Sequence, residues 1–171
     1  MKLNIGGKQE DAHEFISILL GRLGFALSDK DYAKISKDLA CVLETKIVYS
    51  KDKKTSFERS ENLSLELKID GEGYGQKEEI GIEALLESYF SDETSTDDAG
   101  IVVTKTKTIL NFPHMLSLRI AREVEGGGIR ANPIDFRESL KVEKDLNSEN
   151  YGLHSMICKS GGAGGGHYWS Y

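Results

Sequence analysis

Residues 55–69 read TSFERSENLSLELKI. Leu63, Leu65, Leu67 and Ile69 alternate strictly with Ser64, Glu66 and Lys68, and side chains two apart share one face of a strand. The pattern predicts a strand with one dry face and one wet face. Just upstream, TKIVYS at 45–50 is rich in β-branched and aromatic residues, and charged KDKK at 51–54 separates the two runs. Together they predict a long antiparallel hairpin over about 45–69.

The flanking segments follow two other patterns. EDAHEFISILLGRL at 10–23 places Phe15, Ile18, Leu19 and Leu23 at helical spacing, which predicts a helix over about 9–23. Asp11 followed by Glu14 fits a capping pair at its start, and Gly21 and Gly24 lie near its expected end. IGIEALLESYF at 80–90 predicts a second helix, with Ile82, Leu85, Leu86, Tyr89 and Phe90 on one side. SDETSTDDAG at 91–100 has no apolar period and reads as a solvated loop. IVVTKTKTIL at 101–110 and HMLSLRIARE at 114–123 read as strands, with EGGGIRANP and KDLNSENYG as turns. LHSMICK at 153–159 and HYWSY at 167–171 predict a last hairpin joined by a glycine loop. The sum is α+β: helix first, then mostly antiparallel strands with one inserted helix.

Composition narrows the class. The 171 residues suit one domain with a sizeable core, and 39% hydrophobic with 29% charged is ordinary for a soluble globular chain. No apolar run approaches the roughly 18 residues of a membrane span, and residues 1–15 lack a signal-peptide core, so the expectation is an intracellular protein with no membrane partner. Two cysteines are too few for a disulfide framework or a four-cysteine zinc site. A net charge of −6 argues against nucleic acid as partner and is compatible with a cationic one.

The chemistry concentrates near the C-terminus. In YGLHSMICKSGGAGGGHYWSY, residues 151–171, five glycines fill six positions from Gly161 to Gly166, directly before His167 and Tyr168. A histidine has a pKa suited to general base work, and glycines allow close backbone approach by a ligand. A strand histidine beside a floppy hairpin fits the same spacing. His13, His114 and His154 carry no comparable context, and the four histidines have no metal-ligand spacing. Cys158 and His167 flank one loop, but a thiol in the apolar SMIC run is poorly placed for activation. Cys41 reads as packing.

Taken in order, these segments resemble the ubiquitin-specific proteases, papain-like cysteine proteases that remove ubiquitin. KQEDAHEFISILL (8–20) resembles the box of glutamine and Asp-Ala-His-Glu-Phe that opens the family's thumb helix. FERSENLSLELKI, GIEALLESYFSDE and TKTILNFPHMLSLRIARE are similar to its middle strands and supporting helix, and residues 151–171 to the box holding its catalytic histidine. The resemblance implies His167 as the general base. It also implies that Gln9, Asp11, Glu14, Gly165, Gly166 and Tyr168 contact the C-terminal tail of ubiquitin, whose arginines the two carboxylates would hold. The implied layout is a single partial catalytic domain over 1–171, with thumb helix at about 9–23, finger hairpin at about 45–69 and antiparallel palm sheet at about 78–171. It needs no cofactor, and its partner is ubiquitin or ubiquitinated protein, in the cytoplasm or nucleus.

Departures accompany the likeness. The family's nucleophilic cysteine lies in a Gly-Asn-Thr-Cys box upstream of the helix, and neither Cys41 nor Cys158 fits it. The residue that orients the histidine lies in a strand downstream of Gly-His-Tyr, where the sequence has stopped, so the expected domain is truncated and inactive alone. No Cys-x-x-Cys pair is present, so no structural zinc is expected, and Ser170 stands where the family often has alanine. Two other readings stay open: a catalytically inactive ubiquitin-binding or scaffold protein of the same fold, and a protease for a ubiquitin-like modifier.

Overall fold

Fifteen mostly apolar residues form helix α1, Ala12–Ala26, with Glu14 in its first turn where the helix dipole favours an anion. A computed structural model of the chain describes residues 12–69, 78–124, 128–144, 147–162 and 165–171. Gly21 and Gly24 do not end α1 as their position suggested. A glycine stops a helix by turning left-handed, and the positive-φ glycine found among the described residues is Gly100.

A second helix, α2 at Asp29–Leu39, has no counterpart in the sequence reading. Ser28 caps it: the Asp31 amide donates to Ser28 Oγ at 3.3 Å, and the Ser28 hydroxyl donates to Asp31 Oδ2 at 2.7 Å. At its other end the Met115 amide donates to the Asp38 carbonyl at 3.0 Å, and His114 Nδ1 lies 3.0 Å from Asp38 Oδ1. The chain divides into two compact units, Met1–Ala33 with Leu153–Tyr171, and Lys34–Gly152.

Within the larger unit β1, Cys41–Tyr49, pairs antiparallel with β2, Thr55–Asn62. Their connection turns at Lys53, whose φ of 53° is left-handed, while the Lys54 amide donates to Asp52 Oδ1 at 2.9 Å. The hairpin ends at Asn62. The alternating leucines continue as a separate strand, β3 at Leu65–Lys68, which pairs in parallel with β7 at Leu118–Ala121. The predicted alternation holds from Leu65: Leu65, Leu67 and Ile69 are buried while Glu66 and Lys68 are exposed, whereas Leu63 and Ser64, ahead of the strand, are both half-buried. The predicted single hairpin over 45–69 does not, because periodicity reports which face is buried and not which strand is the neighbour.

After the two-residue strand β4, Ile80–Gly81, comes α3, Ile82–Phe90, burying Ile82, Leu85, Leu86 and Phe90. The supposed loop at 91–100 contains β5, Glu93–Thr96, an exposed edge strand paired antiparallel with β6 at Val102–Asn111. Asp97 makes the turn between them, its Oδ1 accepting from the Ala99 and Ile101 amides, both at 2.9 Å. Gly100, at φ 76°, supplies the left-handed residue. The resulting sheet has the order β2-β1-β6-β5.

The remaining strands are short. They are β8 (Glu123–Val124) with β9 (Gly128–Ile129), β10 (Ile134–Asp135) parallel to β4, and the hairpin of β11 (Ser139–Lys144) with β12 (Asn147–Gly152). KDLNSENYG, read as a turn, therefore supplies all of β12. The smaller unit holds β13, Ile157–Gly162, and β14, Gly165–Ser170. Among the described residues no helix is long and apolar enough to cross a membrane.

One core joins Cys41, Leu43, Leu65, Leu67, Ile80, Leu85, Leu86, Phe90, Ile109 and Val142. Each fully buried leucine there contributes about 1.5–3 kcal/mol. Asn132 is buried beside it and donates through Nδ2 to the Glu78 carbonyl at 3.0 Å. Leu85→Ala is expected to lower unfolding free energy by about 2–5 kcal/mol through transfer and cavity terms. Urea denaturation followed by circular dichroism measures this, and a loss below about 1 kcal/mol would contradict the placement of Leu85.

Candidate functional site

The strands β13 and β14 pair antiparallel over six residue pairs, from Ile157 opposite Ser170 to Gly162 opposite Gly165. Met156 and Tyr171 extend the ladder by exchanging both backbone hydrogen bonds, at 3.1 and 3.0 Å. Gly161, Gly162, Gly165 and Gly166 are thus ladder residues and not the open loop expected from the sequence. Antiparallel pairing is satisfied by backbone alone, so a glycine run pairs as well as any other where the register is held elsewhere.

Register decides which side chains share a face. His167 is exposed and lies opposite Ser160, with Cys158 and its partner Trp169 on the same face. Cys158 and His167 are diagonal neighbours and not direct partners. The opposite face carries Lys159 and half-buried Tyr168, with Lys159 Nζ 5.6 Å from the centre of the Tyr168 ring. That is within cation–π range. Nothing in residue spacing singled out Lys159. The register that pairs it with Tyr168 could have, had the glycines been counted as strand.

Among the other expected site residues, Glu14 is exposed in the first turn of α1 and falls in the same compact unit as Gly165, Gly166, His167 and Tyr168. Gln9, Asp11 and the side chain of His13 lie outside the described residues. His154, expected on a strand, is exposed in the segment between β12 and β13.

Cys41 behaves as packing. It is 1% exposed, and burial pushes its thiol up to about 11. Tyr151, whose hydroxyl donates to the Pro113 carbonyl at 2.8 Å, is pushed up to about 12, first by burial and then by the charges of Cys41 and Glu149. Tyr89 is raised as well, chiefly by burial. Burial is thus the leading cause for all three, and the charge of a Cys41 thiolate further opposes ionisation of both tyrosines. Among the described residues no cluster of three His, Cys, Asp or Glu side chains could hold a metal ion.

The model of one family, ubiquitin carboxyl-terminal hydrolase, matches residues 2–171. The chain belongs to the ubiquitin carboxyl-terminal hydrolase family. Solved structures agree with this fold. The SAGA Ubp8/Sgf11/Sus1/Sgf73 DUB module bound to ubiquitin aldehyde superposes with a TM-score of 0.73 at 19% identity, over 96% of this chain and 42% of that one. The Ubp8-Sgf11-Sgf73-Sus1 SAGA DUB module gives 0.74 at 21% identity, over 98% and 41%. The chain therefore spans about two fifths of the length of these hydrolase structures. No curated protein matches it.

Two measurements follow from the cysteine environments. With a thiol reagent at pH 8, the folded hydrolase chain is expected to react at Cys158 alone and the urea-unfolded chain at both cysteines, as counted by mass spectrometry. Rapid labelling of Cys41 in folded protein would contradict its burial. The second concerns alkali. Cys41 and Tyr151 hold their protons more tightly when folded, so the unfolded chain releases protons first as pH rises above about 9. Stability is therefore full below that pH and is lost as pH climbs towards the folded values of about 11 and about 12. Urea midpoints between pH 8 and 11 check the sign, and a Cys41→Ser change is expected to flatten the first part of the decline.

Proposed function

We propose that this chain carries the histidine side of a deubiquitinase site, cleaving after the C-terminal glycine of ubiquitin by thiol chemistry. The carrying observation is the exposed His167, set directly after paired glycines at the end of a family match spanning 2–171. Its imidazole would take the thiol proton as sulfur attacks the carbonyl, then deliver that proton to the leaving amine. Gly165 and Gly166, having no side chains, let an extended tail pass close to the backbone, and Tyr168 walls that path. Glu14, together with Gln9 and Asp11, grips the tail through charge-assisted hydrogen bonds.

The nucleophile comes from outside this sequence. Burial and a thiol pushed up to about 11 argue against Cys41, and the merely diagonal approach of Cys158 to His167 argues against Cys158. The β1–β2 hairpin falls in the segment expected as the fingers on this reading and would hold the globular body of ubiquitin. Helix α1 belongs to the thumb on this reading, and residues from 78 onward supply the palm. Ubiquitin as partner places the protein in the cytoplasm or nucleus.

Titrating isotope-labelled chain with ubiquitin is expected to shift the amides of Glu14, Gly165, Gly166, His167 and Tyr168. Glu14→Lys is expected to weaken binding about tenfold. Unchanged spectra at saturating ubiquitin in folded protein would overturn the binding half of the proposal. Where the nucleophilic cysteine is supplied, His167→Ala removes turnover and leaves ubiquitin binding in place. Retained turnover would overturn the catalytic half, and binding with no turnover by the unsubstituted pair would favour a scaffold role.

A further inference from the structure

The histidine sits in an unusual mechanical setting. Both residue pairs between His167 and the tip of the hairpin, Gly161 with Gly166 and Gly162 with Gly165, consist of glycine. Cross-strand side-chain pairs are what stabilise a two-stranded sheet and pin its register, and glycine offers none. Among the described residues β13 and β14 pair only with each other, and an isolated hairpin is marginal in water. The direct partner of His167 is Ser160, a small polar residue. The next pair towards the chain ends is therefore the first with two large side chains to support its backbone across the ladder.

That pair is Lys159 and Tyr168. Met156 and Tyr171 form a hydrogen-bonded pair, and alternation along the ladder from there places Lys159 and Tyr168 at a non-hydrogen-bonded position. Side chains approach most closely at such positions, while no backbone hydrogen bond ties the two residues to each other. The ammonium of Lys159 lies 5.6 Å from the centre of the Tyr168 ring. Tyr168 is the immediate neighbour of His167, so its backbone orientation sets that of the histidine.

The geometry points to Lys159 as a positioning residue: its cation–π contact with Tyr168 is the first side-chain clasp below the glycine tip, and it holds the strand register that presents His167. This rests on the reading of His167 as the general base, but the contact and its effect on the hairpin stand without it. The clasp needs a cation and a ring. Arginine preserves it, and methionine, which matches the length of the lysine stem without the charge, removes it.

The test is hydrogen exchange and nuclear Overhauser spectroscopy on the 171-residue chain, with no ubiquitin present. Lys159→Met is expected to lower amide protection at Ser160 and His167 about two- to fivefold and to weaken the cross-strand Hα contact between residues 159 and 168. Lys159→Arg is expected to restore both, while the amides of Leu65, Leu67 and Leu85 remain unchanged in either variant. Tyr168→Leu combined with Lys159→Met completes a double-mutant cycle, and its protection should match that of Tyr168→Leu alone. Unchanged protection in Lys159→Met, an arginine variant no better than the methionine one, or additive single changes would each overturn the proposal. Loss of ubiquitin binding in the unsubstituted chain would bear on the functional reading and not on this one.

Discussion

Helix α3 is the constraint on which the larger unit depends. Four of its nine side chains, Ile82, Leu85, Leu86 and Phe90, are buried, and it packs on β3, β4, β6 and β11. These strands belong to four separate sheets, so one amphipathic helix is what lets small sheets share a core. None of the two-stranded sheets would be expected to persist alone. The helix is secured at its C-terminus, where Lys144 Nζ donates to the Phe90 carbonyl at 3.2 Å and the Ser91 hydroxyl to that of Ser88 at 2.7 Å. A cation there also suits the negative end of the helix dipole.

The smaller unit follows a different principle. None of its described side chains is buried. Apolar residues on α1 and the last hairpin, among them Phe15, Ile16, Leu19, Ile157 and Trp169, are exposed. Here order comes from backbone pairing and from contacts between facing side chains. On the proposed function that suits a hairpin offering a histidine beside glycines, because side chains there would obstruct a passing tail.

Much of the candidate site was legible in the sequence. His167 stood out because five glycines precede it, and the order of the family boxes turned a versatile residue into a specific expectation. Lys159 was not legible, since its significance depends on register: reading the glycines as a loop leaves it without a partner, and pairing them sets it opposite Tyr168. Helix α2 carried a readable signal in Ser28 and Asp31, a capping pair ahead of Tyr32, Ile35 and Leu39. Its low content of large apolar residues hid that signal.

Local pattern by itself determined the helix at 82–90, the buried face of the 65–69 strand and the family of the chain, because periods of 3.6 and 2 and short motifs are written in neighbouring residues. Tertiary structure alone decided partnership. It ended the first hairpin at Asn62 and sent Leu65–Lys68 to pair with Leu118–Ala121. It also made Glu93–Thr96 an edge strand beside β6 and zipped the glycines of the last hairpin. The physical reason is common to all of these. A strand's backbone donors and acceptors are the same whatever its sequence, so its neighbour is chosen by which distant segment completes the buried face, and no local window contains that segment.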